Sequence, residues 1–170
     1  MDIYNISNWA TSTTYEVNDI VLQNNLYYYC KVRHVAGTFA TDLASGNWDG
    51  NLSFNGKNYP YFFWRPSFGY RIPIKPDVNV IRFGDSYVQD RSTNISNIML
   101  RLELQFNDRS LSEITAILHF LHARRGSGRF LFIPPAPYGI TKLFVCQEFD
   151  SGQDFYEKYP LNVVFEERII

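Results

Sequence analysis

The chain has 170 residues, 45% hydrophobic and 19% charged, with a formal net charge of -1 and a sequence pI near 6.3. This excludes intrinsic disorder, which needs low hydrophobicity and high charge, and broad electrostatic capture of nucleic acid, which needs a basic surplus. Two cysteines without CxxC spacing, Cys30 and Cys146, exclude a disulfide scaffold or an iron–sulfur site within one chain and predict two small buried apolar side chains.

The length suits one ordinary domain or two small ones. Met1-Asp2-Ile3-Tyr4-Asn5 lacks the basic start and apolar run of a secretion signal. No apolar stretch is long enough to span a bilayer, so no membrane insertion is expected and synthesis should yield a soluble cytoplasmic chain. Residues 1–52 are polar and dotted with aromatics. Thr11-Ser12-Thr13-Thr14 precedes Ile20-Val21-Leu22, and Asn24-Asn25 separates that run from Leu26-Tyr27-Tyr28-Tyr29-Cys30-Lys31-Val32. Two β-rich runs split by a short polar pair predict a hairpin. Residues 37–50 are small and polar except Phe39, Leu43 and Trp48, and read as a loop closing back on that hairpin. A boundary near Gly50-Asn51 divides the chain into a small all-β module, 1–52, and a larger domain, 53–170.

The larger domain opens on Phe62-Phe63-Trp64-Arg65-Pro66-Ser67-Phe68-Gly69-Tyr70. Pro66, Pro73 and Pro76 keep this stretch extended and unable to complete a central ladder, which suits an edge strand or an arm reaching a neighbour. Gly84-Asp85-Ser86 reads as a turn flanked by Phe83 and Tyr87, which can anchor it to a core. Across 98–106, Ile98, Leu100, Leu102, Leu104 and Phe106 alternate with Met99, Arg101, Glu103 and Gln105, the pattern of a strand with one wet or interfacial face. Ser110-Leu111-Ser112-Glu113 is a capping box, and Leu111, Ile114, Ile117, Leu118 and Leu121 follow at helical spacing. Arg124 and Arg125 then suit the negative end of the dipole and Gly126 a stop, predicting one helix over 111–125. Residues 129–133, 143–149 and 161–169 are further strand candidates. The fold class is therefore mainly β with one helix and no βαβ alternation.

Enzymatic signatures are missing. His119 and His122 lie three apart on the predicted helix, but no HExxH pattern, carboxylate or cysteine completes a metal site in sequence. His34 stands alone, and no Cys–His pair, phosphate loop or GxSxG elbow is present. Gly126-Ser127-Gly128 follows a helix instead of opening one, so it offers no free N–H groups at a helix start. Glu166 and Glu167 point to opposite faces of a strand, which is poor geometry for acid–base work. No catalytic residue, metal or cofactor is expected.

In order, Trp64-x-Pro66, Lys75-Pro76-x-Val78, Arg82-Phe83-Gly84-Asp85-x-Tyr87-x-Gln89, an alternating strand, Phe120-Leu121-x-Ala123-Arg124-x-Gly126 and a Phe-x-x-Pro-Pro run are followed by Phe144-Val145-Cys146 and Phe165-Glu166-Glu167. This order over residues 59–168 resembles the minor tail protein M family of lambda-like phages. The chain departs from the family pattern at Ser86, at Gln89-Asp90-Arg91 and at Asn94-Ile95-Ser96-Asn97. The resemblance implies a tail-tube-like β-barrel or sandwich carrying one helix. It implies a non-enzymatic virion component at the tail tip, made and assembled in the bacterial host cytoplasm. It further implies a homo-oligomeric ring of six copies joining the tail tube protein to the tape measure and tip or hub proteins, with DNA passing through unbound. The residues carried over for ring assembly are Trp64, Pro66, Phe83, Gly84, Asp85, Tyr87, Gln89 and Arg91.

The N-terminal segment carries a second resemblance, over about 45 residues. Trp9, Tyr15, Asn18-Asp19-Ile20-Val21, Asn25, Leu26-Tyr27, His34 and Trp48 follow the layout of small chitin-type carbohydrate-binding modules. This implies either a host-surface glycan-binding module at the tail tip, with Trp9, Tyr27, Tyr28, Tyr29 and Trp48 as glycan-facing aromatics, or a module that decorates or braces the ring with those rings packed inside it.

Overall fold

The computed structural model describes residues 6–73, 78–83, 87–92, 99–153 and 156–169; for 78–83 and 87–92 it describes backbone pairing alone. The N-terminal segment holds β1 (Thr14–Tyr15), β2 (Ile20–Gln23), β3 (Leu26–Tyr29), β4 (His34–Val35) and a short helix α1 (Phe39–Ala44). The predicted hairpin is β2–β3, with Ile20 opposite Tyr29 and Gln23 opposite Leu26. Asn24 and Asn25 both take positive φ, 51° and 60°, the conformation that a tight two-residue hairpin turn requires and that asparagine tolerates. β1 pairs antiparallel with β4.

Helix α1 corrects the expectation of a plain loop over 37–50. Phe39 and Leu43 stand one helical turn apart, and both pack on the module's small core. The buried Asp42 carboxylate accepts the Gly37 N–H at 3.1 Å and ties the helix to its approach. A two-residue apolar spacing is too short to show a period, so packing decides the element here.

Side chains of the β2–β3 hairpin alternate between two cores, as strand geometry dictates. Val21 and Cys30 join Tyr15, Ala36 and Trp48 in the small cluster. Ile20 and Tyr29 belong to the main core of the larger domain. The hairpin is thus a wall shared by the two expected units.

After the hairpin β5 (Leu52–Phe54) and β6 (Lys57–Tyr59) come β7 (Val78–Phe83), β8 (Tyr87–Ser92), β9 (Arg101–Arg109), helix α2 (Leu111–Arg124), β10 (Phe130–Phe132), β11 (Lys142–Ser151) and β12 (Tyr159–Glu167). Four strands form an antiparallel sheet in the order β10–β11–β12–β9, curled into a half-barrel. Its inner face carries Leu102, Leu104 and Phe106 from β9 and Leu161, Val163 and Phe165 from β12, all buried. The predicted alternation therefore holds, although the paired strand runs to Arg109 and Ile98 lies outside the described residues.

Helix α2 packs Ile114, Ile117, Phe120 and Leu121 into this concave face. The Ser110 Oγ accepts the Glu113 N–H at 3.3 Å, one half of the capping box. The Glu113 carboxylate is instead paired with Arg109 at 3.0 Å. The helix stops when Arg125 itself turns left-handed, at φ 50°, just ahead of Gly126 at φ 72°. Two residues on, Gly128 donates to the Arg124 carbonyl at 2.7 Å, and a Cβ there would stand 2.9 Å from the same oxygen. Glycine is what lets the chain pass this close under the helix end.

The proline-rich stretch closes the half-barrel. At one end the Leu131 N–H donates to the Pro60 carbonyl and the Phe62 N–H to the Leu131 carbonyl, both at 2.8 Å, covering the outer edge of β10. At the other end the Ser67 N–H donates to the Gln105 carbonyl at 2.7 Å, and Arg71 and Glu103 exchange backbone bonds at 3.1 and 2.9 Å, covering β9. Between these latches Phe62 and Trp64 turn inward. The Phe62 ring sits 5.1 to 5.9 Å from those of Phe106, Phe120, Phe130, Phe132 and Phe165, mostly edge to face, the arrangement aromatic pairs prefer.

Candidate functional site

Three surfaces hold the residues singled out from the sequence. The first is the aromatic segment with its neighbouring hairpin. Trp64 is buried and donates its indole N–H to the Asn18 carboxamide oxygen at 3.0 Å, while Pro66 lies half-buried between the two latches. Phe83 stands opposite Tyr87, Gln89 opposite Ile81 and Arg91 opposite Asn79 in the β7–β8 hairpin. Gly84 and Asp85 lie outside the described residues. Trp64 therefore serves the core, whereas the Phe83–Arg91 set sits on a hairpin that pairs with no third strand among the described residues.

Beside the segment runs a groove of about 480 Å³, walled by Phe63, Pro66, Phe68 and Tyr70 on one side and Ile133 and Pro135 on the other. The Tyr70 hydroxyl donates to the Ala136 carbonyl at 3.0 Å and ties the two walls together. Phe68 is 98% exposed and Ile140, nearby in sequence, 73%. Residue spacing alone does not mark this apolar rim, although Phe68 lies within the aromatic run from Phe62 to Tyr70.

The second surface is the wet face of the sheet. Arg101 bonds Glu166 at 2.8 Å and Glu148 at 3.4 Å, and Arg168 bonds Glu166 at 2.9 Å. With Glu103 and Asp150, this face presents four carboxylates against two guanidinium groups among the described residues.

The third is the joint between the module and α2. The five aromatics expected as glycan-facing are not gathered on one exposed face. Tyr29 and Trp48 are fully or almost fully buried, which removes them as glycan contacts, because a covered ring offers no stacking face. Trp9 and Tyr28 are half-buried and pack edge-on against Phe39 at 5.6 and 4.8 Å. Tyr27 remains 41% exposed, its ring edge-on to His119 at 4.5 Å.

Under these rings lies a polar cluster that sequence spacing could not assemble. The Tyr29 hydroxyl and His119 Nδ1 are 2.9 Å apart. The Tyr29 N–H donates to Asp49 Oδ1 at 2.7 Å. Burial pushes the Asp49 carboxyl up to about 7, against the opposing pull of that N–H and of Arg124 and Lys31. Burial, with the Arg124 and His122 charges, holds His119 down at about 4, so its ring is neutral at physiological pH. The Arg124 guanidinium lies 4.6 Å from the Phe120 ring centroid, a cation–π contact, and its Nε is buried without a hydrogen-bond partner.

Cys30 and Cys146 are buried free thiols, both pushed up by burial, to about 11 and about 12. Among the described residues no three histidine, cysteine or acidic side chains gather as metal ligands would. No described helix is long and apolar enough to cross a membrane. No curated protein matches the chain. A family model described as phage minor tail protein matches residues 60–169, well over half the chain.

Proposed function

Because the chain belongs to the phage minor tail protein family, and is thus a structural component of a phage tail and virion, we propose that it forms the ring at the tail tip that joins the tail tube to the tip complex. The observation that carries this reading is the β7–β8 hairpin. Its two six-residue strands pair with each other, Val78 opposite Ser92 and Phe83 opposite Tyr87, and with no further strand among the described residues. A lone two-stranded hairpin is marginal in water and gains stability from a third layer. A neighbouring copy supplies that layer in a ring, where each subunit presents one surface and receives another. Closing at six copies, such a ring would meet the tail tube protein on one side and the tape measure and hub proteins on the other.

The carboxylate surplus on the wet sheet face supports a wall past which DNA moves without being held. The protein's role is then positional, with no catalysis and no cofactor, and its assembly would take place in the host cytoplasm. Negative-stain imaging of the purified full chain, with mass by light scattering, tests the proposal. Closed rings with an open centre, formed alone or on added tail tubes, are the expected result. A chain that stays monomeric at high concentration and also fails to bind tail tubes would overturn it.

A further inference from the structure

We propose that the cleft between β3 and the last turn of α2 is a binding site for a short anionic saccharide, whose carboxylate or phosphate ester is held by Arg124. The cleft measures about 340 Å³, at the small end of the roughly 300–1,000 Å³ typical of ligand sites. Asn25, Tyr27, Tyr28, Asp49, Asn51 and Arg124 line it.

Its unusual feature is Arg124. The guanidinium rests on the Phe120 ring, its Nε is desolvated without a partner, and no described residue forms an ion pair with it. A partly buried guanidinium whose Nε–H has no acceptor has lost hydration that a bound anion would replace, and its planar fork fits a carboxylate or phosphate. Asp49 feels the Arg124 charge but makes its short bond to the Tyr29 N–H instead. The remaining walls suit a sugar ring. Tyr27 exposes part of its ring, Tyr28 brings a hydroxyl, and Asn25 and Asn51 bring amide donors and acceptors.

The charges around the cleft favour the same class of ligand. Arg124 lines it and Lys31 acts on Asp49 from the module side; Arg125 faces the adjoining groove with Tyr27. Asp49 is the one acidic lining residue described, and the Tyr28 and Tyr29 hydroxyls stay protonated because burial raises both. Asp49 sheds its proton near pH 7, so an anion should bind more tightly below that pH than above it. The site is independent of ring assembly, since a monomer can bind and an inert ring can form.

Calorimetric titration of the full chain at pH 6 and pH 8 tests the proposal. The probes are a galacturonic acid trimer, glucose 6-phosphate, neutral maltotriose and inorganic phosphate. Saturable binding of the trimer or the sugar phosphate, on the order of tenfold tighter than maltotriose, is expected, and which of the two binds distinguishes carboxylate from phosphate. Arg124→Gln should weaken it at least on the order of tenfold, a 1.4 kcal/mol loss. Asp49→Asn keeps the acceptor for Tyr29 and should restore at pH 8 the affinity seen at pH 6. If Arg124→Gln does not fold by circular dichroism, Asn51→Trp at the exposed rim blocks the cleft instead. Absence of saturable sugar binding, binding indifferent to the folded blocking variant, or inorganic phosphate binding as tightly as both sugars would overturn the proposal.

Discussion

Truncating Phe62 to alanine should cost much of the molecule's stability, whereas the same change at Phe68, six residues along the same segment, should cost almost none. Phe62 has no exposed surface and stands within 5.9 Å, centroid to centroid, of five other phenylalanine rings. Losing its transfer to the interior accounts for about 1.5–3 kcal/mol. The cavity left among rings drawn from α2, β9, β10 and β12 brings the total to about 3–5 kcal/mol. That is at least about a fifth of a domain stability of about 5–15 kcal/mol. Phe68 is 98% exposed, so its removal should fall within about 0.5 kcal/mol. Urea unfolding followed by tryptophan fluorescence reads both variants, with Trp64 only 5.1 Å from Phe62 as the reporter. A loss below about 1 kcal/mol for Phe62→Ala would mean that the segment is not part of the core, and the closed half-barrel would have to be abandoned.

Gly128→Ala should lose about 1–3 kcal/mol, because the new Cβ meets the Arg124 backbone at 2.9 Å with nothing flexible to yield. At about 2–4 °C per kcal/mol for a chain of this size, a thermal melt resolves the loss, and an unchanged midpoint would mean a looser turn. The pH dependence of stability should be nearly flat between about pH 4 and 6.5 because two groups oppose each other. The folded pKa of Asp49, about 7, lies above its ordinary value near 3.8, so its contribution is lost as pH rises across that interval. The folded pKa of His119, about 4, lies below its ordinary 6.5, so its contribution grows over the same range. Melts of Asp49→Asn should therefore rise with pH and those of His119→Gln should fall; parallel curves for both variants and the wild type would refute the pairing.

Strand β9 and helix α2 were legible because their signals are local, whereas the curled sheet that joins them was expected only from the family resemblance. The strict alternation over residues 98–106, most of it within β9, and the capping box ahead of α2 each specify their element locally. The β2–β3 turn was legible for a different reason, since Asn24-Asn25 suits a conformation few residues accept. Helix α1 was not, because two apolar residues one turn apart do not distinguish a helix from a loop until Trp48 packs against them. The joint around Asp49, His119 and Arg124 was illegible for a more general reason. Its members come from a loop and a helix about 70 residues apart, and each alone reads as an ordinary polar residue. Tyr29 and Trp48 show the same limit from the other side: sequence gives their aromaticity, but only the β2–β3 wall decides which faces are covered.

The latching of one extended segment across both outer strands of the curled sheet bears on how a pool of newly made chains behaves. Unpaired strand edges are where chains add to one another by backbone bonding and grow without limit. Here the edges of β10 and β9 are occupied by the chain's own residues, at Phe62 with Leu131 and at Arg71 with Glu103. Two copies that collide therefore have no ready ladder to extend from the four-stranded sheet. Fibre growth through that sheet would first require the latch to peel away from Phe62 and Trp64, which the core resists. Chance strand pairing through that sheet is thus disfavoured, and the ring assembly proposed above would instead depend on side-chain contacts and on the separate β7–β8 hairpin.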